Sequence, residues 1–189
     1  MYLERKGIIP DEDFDERTLR VFSVGNIFED WVVDTIKATG KEVETQVRVE
    51  DKKLGVSGKI DLKMDNVLYE IKSKHSKAFW YMLKKDAPMQ QHEEQLWTYL
   101  YLTNIEKGYI VYVSKDDLAI QEYPVYLENE DIKNSVFTQL KVLNLAWKKE
   151  LPPPPPEKDT WQSKYCRWHK QCLKQPKYLN IKQNIYELR

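Results

Sequence analysis

With 189 residues, 41% hydrophobic and 32% charged, the chain suits one compact globular domain with a small terminal extension. The 30 basic side chains balance the 30 acidic ones, which argues against a protein coated in positive charge for nucleic acid. No apolar run approaches a membrane span, the opening residues lack the layout of a secretory leader, and 2 cysteines are too few for a disulfide scaffold, so the expectation is a reducing cytoplasm and no membrane partner. The charge is unevenly spread. Residues 1–51 carry 13 acidic against 7 basic side chains, and residues 158–189 carry 8 basic against 2 acidic. That polarity fits an acidic end with a basic surface able to follow phosphates, and equally two ordinary solvated faces.

Residues 16–37 predict an amphipathic helix. Val21, Val24, Phe28, Val32 and Ile36 share one arc at helical spacing, Asp30, Asp34 and Lys37 lie opposite, and Gly40 closes the element. Gly25 and Glu29, at i and i+4, stand at the edge of the arc, so Glu29 leans toward the core. A mid-helix glycine costs about 1 kcal/mol against alanine and signals close packing or a nearby ligand. A tolerated glycine beside a surface glutamate fits too.

Residues 43–50 alternate and predict a strand. A second follows, in which Val56, Gly58, Ile60, Leu62 and Met64 alternate with Ser57, Lys59, Asp61 and Lys63. Asp65-Asn66 is a compact turn signal, and a third strand runs from Val67 to about Ser73. The basic and aromatic stretch Lys74–Pro88, with Lys74, Lys77, Phe79, Trp80, Tyr81, Lys84 and Lys85, predicts a loop or short helix.

A long helix is expected from about Pro88 to Thr103, the proline in its first turn. His92, Gln95 and Tyr99 line one stripe of it, with Leu96, Trp97 and Leu100 for packing. Gln and Tyr on such a stripe can hold a carboxylate or touch a phosphate, or serve as satisfied core polar groups. Tyr109–Val113 and Leu118–Tyr126 predict two more strands, and 130–149 a helix. The polyproline segment, 152–157, must be extended. It divides a main domain, 1–151, from a basic tail, 158–189. The element order predicts an α/β fold, a central mixed sheet flanked by helices.

The candidate chemistry concentrates in Gly58-Lys-Ile-Asp61 and Glu70-Ile-Lys72. A two-residue turn at Asp65-Asn66 pairs Met64 with Val67, which sets Asp61 opposite Glu70 and Lys59 opposite Lys72, all on one face. Like charges facing each other across a sheet are destabilising, and a bound Mg²⁺ or Mn²⁺ would compensate them. Taken alone, the same residues also suit a solvent-exposed hairpin kept soluble by its charges.

Read together, Gly25-x-x-x-Glu29, Gly58-x-x-Asp61, Glu70-x-Lys72 and Gln95-x-x-x-Tyr99, with His92 before the last, resemble the RecB-like branch of the PD-(D/E)XK nucleases. That group includes CRISPR-associated adaptation exonucleases, AddB-type nuclease domains and viral relatives. The resemblance implies a restriction-endonuclease-like core and metal-dependent hydrolysis of DNA, foremost as an exonuclease at single-stranded or frayed ends. It implies Asp61 and Glu70 as metal ligands, joined by Glu29 and by the carbonyl of Ile71. Lys72 would orient water or offset charge on the phosphate, and Gln95 and Tyr99 would support the site. Lys74, Lys77, Lys84 and Lys85 are expected to contact DNA phosphates, and Trp80 or Tyr81 to stack on bases.

The tail departs from the family. Trp161-x-Ser163-x-x-Cys166…Cys172 resembles the end of an iron–sulfur motif with serine in place of one cysteine, and two thiolates cannot hold a four-iron cluster, so none is expected. For Cys166, His169 and Cys172 to share a zinc, a fourth ligand from elsewhere is required. The alternative to an active nuclease is a DNA-end-binding subunit of a larger recombination, repair or CRISPR-adaptation-like complex. The family also suggests a phage or archaeal virus as source, in which case the compartment is the host cytoplasm.

Overall fold

The computed structural model describes Leu3 and residues 6–10, 13–152 and 166–180. Their elements, in chain order, are α1 (Glu16–Ala38), β1 (Glu44–Asp51), β2 (Val56–Met64), β3 (Val67–Lys74), α2 (Ser76–Lys85), α3 (Gln90–Thr103), β4 (Lys107–Ser114), β5 (Ile120–Tyr126), α4 (Glu130–Lys148) and the single turn α5 (His169–Leu173). The strands form one sheet in the order β1-β2-β3-β4-β5. All neighbours are antiparallel except β3 and β4, which run parallel and are joined through α2 and α3. The α/β fold with a mixed sheet flanked by helices is therefore as the sequence predicts.

The chain divides into two compact units, Arg20–Val136 and Met1–Leu19 with Phe137–Arg189. The sheet belongs to the first. Period-two alternation along β3 and β4 separates its faces. Tyr69, Ile71, Val111 and Val113 pack with Leu62 against Val32, Val33, Phe28 and Ile36 of α1. Leu68, Ile110 and Tyr112, all fully buried, point the other way, toward α3, whose Leu96 and Leu100 are also fully buried. Gly108 sets the spacing there, because a Cβ on it would stand 3.0 Å from Leu96 and 2.9 Å from the carbonyl of Leu68.

In the other unit, Leu145 and Ala146 of α4 pack with Leu179, whose N–H bonds the Pro152 carbonyl at 2.8 Å. Arg167 pairs with Asp13 at 2.7 Å and lies over the Phe14 ring. Among the described residues no helix is long and apolar enough to cross a membrane. Pro153 to Pro156, Trp161 and Ser163 lie outside the described residues.

Two expectations need correction. The apolar arc of α1 is buried only toward its C-terminal end: Val32 is 8% exposed, whereas Val21 and Val24 are 47% and 37% exposed. A helix longer than the layer it packs on leaves part of its stripe uncovered, which periodicity alone does not register. Pro88 lies outside α3, because Met89 is the N-cap and the helix starts at Gln90. Of the two forms expected for the basic stretch after β3, the structure takes the short helix, α2, ended by Asp86 in the left-handed region with its N–H on the Leu83 carbonyl.

Candidate functional site

The site grows out of the β2–β3 hairpin. Asp65 and Asn66 both have positive φ, +50° and +59°, the type I′ geometry that matches strand twist. This turn fixes the register Met64–Val67, Lys63–Leu68, Leu62–Tyr69. There the ladder stops. The next position in that register is Asp61 opposite Glu70, and instead of a backbone partner the Ile71 N–H donates to Asp61 Oδ2 at 2.8 Å. A side chain thus satisfies a buried backbone donor where the strands part.

Glu70 is fully buried and Asp61 is 9% exposed. Lys72 Nζ donates to Glu70 Oε1, while Glu70 Oε2 has no hydrogen-bond partner among the described residues. Burial, then the neighbouring Asp61 charge, pushes the Glu70 carboxyl up to about 7 against the pull of Lys72. Burial likewise raises Asp61, opposed by Lys72 and by the Ile71 N–H. On Lys72 burial acts downward, but Glu70 and Asp61 outweigh it and the ammonium is held above its ordinary value. The cluster is therefore short of positive charge: two buried carboxylates share one ammonium.

Glu29, from α1, is the third acid. Burial and then the Asp61 charge raise its pKa, and its own charge is felt at Glu70. Its Oε1 accepts a hydrogen bond from Gln46 Nε2 of β1. Among the described residues no three His, Cys, Asp or Glu side chains stand ready-made as a metal-holding group. The donor chemistry nonetheless fits a hard divalent cation: carboxylate oxygens, an orphaned buried Oε2, and an excess of negative charge. Ile71 itself is buried, its side chain in the α1-facing cluster.

The α3 stripe reaches the same place. Tyr99 is 8% exposed and its hydroxyl accepts from Gln95 Nε2 at 3.2 Å. Burial raises the Tyr99 pKa, Gln95 lowers it, and the Glu70 and Asp61 charges raise it further. Gly58 makes room for this ring, since a Cβ on it would lie 2.5 Å from Tyr99 Cε1 and 2.7 Å from the hydroxyl. His92 Nδ1 pairs with the Tyr112 hydroxyl at 2.7 Å. Burial and then Lys72 and Lys74 push the imidazole down to about 3, so it is neutral at ordinary pH.

One hairpin expectation fails. Lys59 lies beyond the last β2–β3 pair, Leu62–Tyr69, and is exposed, so the ladder does not set it opposite Lys72. The strands have already separated at that depth, and three consecutive buried residues, Ile60 to Leu62, break the strict alternation. On α1, close packing is not what Gly25 serves, since a Cβ there meets nothing within 4 Å, in keeping with a tolerated glycine.

The lysines and aromatics expected on nucleic acid separate into two places. Lys77, Trp80, Tyr81 and Lys84 line a surface groove of about 610 Å³ on α2. Trp80 and Tyr81 are 49% and 62% exposed, and Lys85 Nζ lies 4.9 Å from the Tyr81 ring centre. Lys74 instead sits against Met89 Sδ, 2.9 Å away, and over the Tyr112 ring. In the tail, Cys166 is exposed and its charge contributes to raising the Cys172 thiol, after burial.

Gln46 and Tyr112 carried no sequence signal. Gln46 reads as an ordinary polar residue of an alternating strand, and Tyr112 as core.

No family model matches the chain, and no curated protein sequence matches it. Solved structures do. The protein SSO0001 is 24% identical with a TM-score of 0.51, covering 83% of this chain and 71% of that one. The exonuclease LHK-Exo in complex with dAMP gives a TM-score of 0.58 at 17% identity, over 74% of this chain and 72% of that one. The alkaline exonuclease LHK-Exo from Laribacter hongkongensis gives 0.52 at 16%, over 74% and 76%. At such identities the likeness establishes the fold, and the chain shares its α/β architecture with these proteins.

Proposed function

We propose that the protein is a metal-dependent DNA nuclease hydrolysing phosphodiester bonds, working as an exonuclease at single-stranded or frayed ends. The observation that carries this reading is the buried Asp61–Glu70 pair with the orphaned Glu70 Oε2. A buried, mutually repelling pair raises the free energy of the metal-free fold, and a chain that keeps one is prepared for a cation. Asp61 and Glu70 would hold Mg²⁺ or Mn²⁺, with Glu29 and the Ile71 carbonyl completing the protein ligands. When bound, such an ion supplies Lewis acidity to a phosphoryl group and acidifies water.

The remaining chemistry belongs to the side chains. The Lys72 ammonium, already beside Glu70, offsets negative charge building on the phosphate. Gln95 and Tyr99, bonded to each other, fix the wall beside the carboxylates. Along α2, Trp80 and Tyr81 offer exposed rings for base stacking, while Lys77, Lys84 and Lys85, with Lys74 over the Tyr112 ring, would contact phosphates. This arrangement suits unpaired strands, whose bases are free to stack. The fold shared with an exonuclease crystallised with dAMP supports DNA as the substrate class, and the order of the four motifs supports a RecB-like assignment. Only Cys166 and Cys172 are available as thiolates, which supports a tail without an iron–sulfur cluster.

A second reading, an end-binding subunit of a larger complex, draws on the exposed apolar residues of α1, among them Val21 and Ile27 at 47% and 60% exposure. One experiment separates the two. Wild type and Asp61→Ala are incubated with end-labelled linear single- and double-stranded DNA and with closed circles, in Mg²⁺, Mn²⁺ or EDTA. Loss of linear DNA by the wild type alone, only with metal and sparing circles, is expected. Cleavage of circles would make it an endonuclease, and an inert wild type that still binds ends would favour the subunit reading.

A further inference from the structure

We infer that Gln46 is a positioning residue for Glu29, presenting that carboxylate to the cation site formed with Asp61 and Glu70; this rests on the metal-dependent reading above. Three observations converge on Gln46. First, its side-chain amide donates to Glu29 Oε1, a link between the edge strand β1 and helix α1. Second, its backbone is left-handed, φ +51°, within a strand whose neighbours are extended, a conformation a glutamine adopts only at a cost.

Third, the β1–β2 ladder pairs every position from Glu44 to Asp51 except Gln46, whose register partner is Asp61. Thr45 still pairs with Leu62 and Val47 with Ile60, so the ladder resumes on both sides of the gap. The break in β1 thus falls beside the break in β2–β3 where Asp61 gives its carboxylate to the Ile71 N–H. One local distortion frees the Asp61 position from cross-strand pairing and turns the Gln46 amide toward Glu29.

The chemistry explains why an amide belongs there. Glu29 arrives from a different element than Asp61 and Glu70, and on a solvated helix its carboxylate would sample several rotamers. A donor fixed to one oxygen orients the group and leaves the other, Oε2, free as a ligand. A lysine in that place would compete with the cation by its charge, whereas a neutral amide does not. Hydrogen-bond partners of metal-ligating carboxylates act in this way, and losing one costs about 10- to 100-fold in metal affinity.

The test measures Mn²⁺ affinity of the intact chain by electron paramagnetic resonance of the free ion, beside melting temperature. Two variants remove the donor in opposite backbone senses. Gln46→Gly accepts the left-handed conformation freely, and Gln46→Met keeps the shape of the side chain. We expect both to bind Mn²⁺ at least tenfold more weakly, with the melting temperature of Gln46→Gly held or raised. In a Glu29→Gln background, Gln46→Gly should change the affinity no further, because it acts through Glu29. Unchanged affinity in both variants, or an additional loss in the Glu29→Gln background, overturns the assignment while leaving the metal site standing. A wild type that binds no Mn²⁺ removes the metal-dependent reading itself, and the role of Gln46 with it.

Discussion

The two ends of the β2–β3 hairpin obey different rules. At the turn end, Asp65 and Asn66 take the dihedrals a tight hairpin requires, and the ladder closes through Leu62–Tyr69. The charges there are solvated, as in Lys63 with Glu44 of β1 at 2.7 Å, and contribute little. At the open end the ladder is abandoned, a carboxylate replaces a backbone acceptor, and Glu70 is buried with one oxygen unpaired. The first end is arranged for stability and the second against it, and the difference locates the chemistry.

The sharpest way to break this contrast is at the open end. Asp61→Ala should lower metal-dependent DNA hydrolysis by about 10³-fold. Glu70→Gln should do the same, yet raise the melting temperature of the metal-free protein at pH 8, because it removes a buried charge. A nuclease assay paired with thermal melts checks both. A parallel fall of stability and activity in Glu70→Gln would show instead that Glu70 is structural.

Next in size is the pH dependence of stability without metal. Glu70 is a carboxyl raised from 4.5 to about 7, so the folded chain keeps a proton that the unfolded chain releases. Its contribution is complete below about pH 4.5 and is lost as pH rises toward 7, on the order of 3 kcal/mol. Asp61 and Glu29 shift in the same direction. Urea titrations from pH 4.5 to 8 should therefore show stability declining with pH, and saturating Mn²⁺ should restore it at the upper end. Glu70→Gln should flatten most of the slope.

Two glycines sharpen the comparison at smaller scale. Gly58→Ala would drive a methyl group into the Tyr99 ring and is expected to cost about 1–3 kcal/mol, with reduced activity. Gly25→Ala meets open space on α1 and should gain about 1 kcal/mol in chemical denaturation. Should Gly25→Ala nevertheless weaken DNA cleavage, substrate passes over that point of the helix. The smallest effect belongs to the turn: Asn66→Gly, at φ +59°, should stabilise by about 0.5 kcal/mol without touching activity, since glycine is at ease there.

Much of this molecule could be read in advance because the signals are local. Alternation in Val56–Met64, the Asp65-Asn66 turn and the register it imposes all follow from period and turn chemistry, and they put Asp61 and Glu70 side by side in register. The 3.6 period identified α1 and α3, and with them Glu29, Gln95 and Tyr99. What the pattern could not supply was where each pattern stops being obeyed. The half-exposed stripe of α1, the position of Lys59 beyond the end of the β2–β3 ladder, and the emptiness around Gly25 depend on how far neighbouring elements extend. The departure at Gln46 is of the same kind. By sequence, then, the chain determined its strands, its helices and its acidic residues, because these rest on contacts a few residues apart. Only tertiary structure decided that β2 leaves β3 at Asp61, that Glu70 is buried with an unmet oxygen, and that Gln46 turns to Glu29. Those outcomes balance burial, charge and backbone pairing among elements distant in the chain.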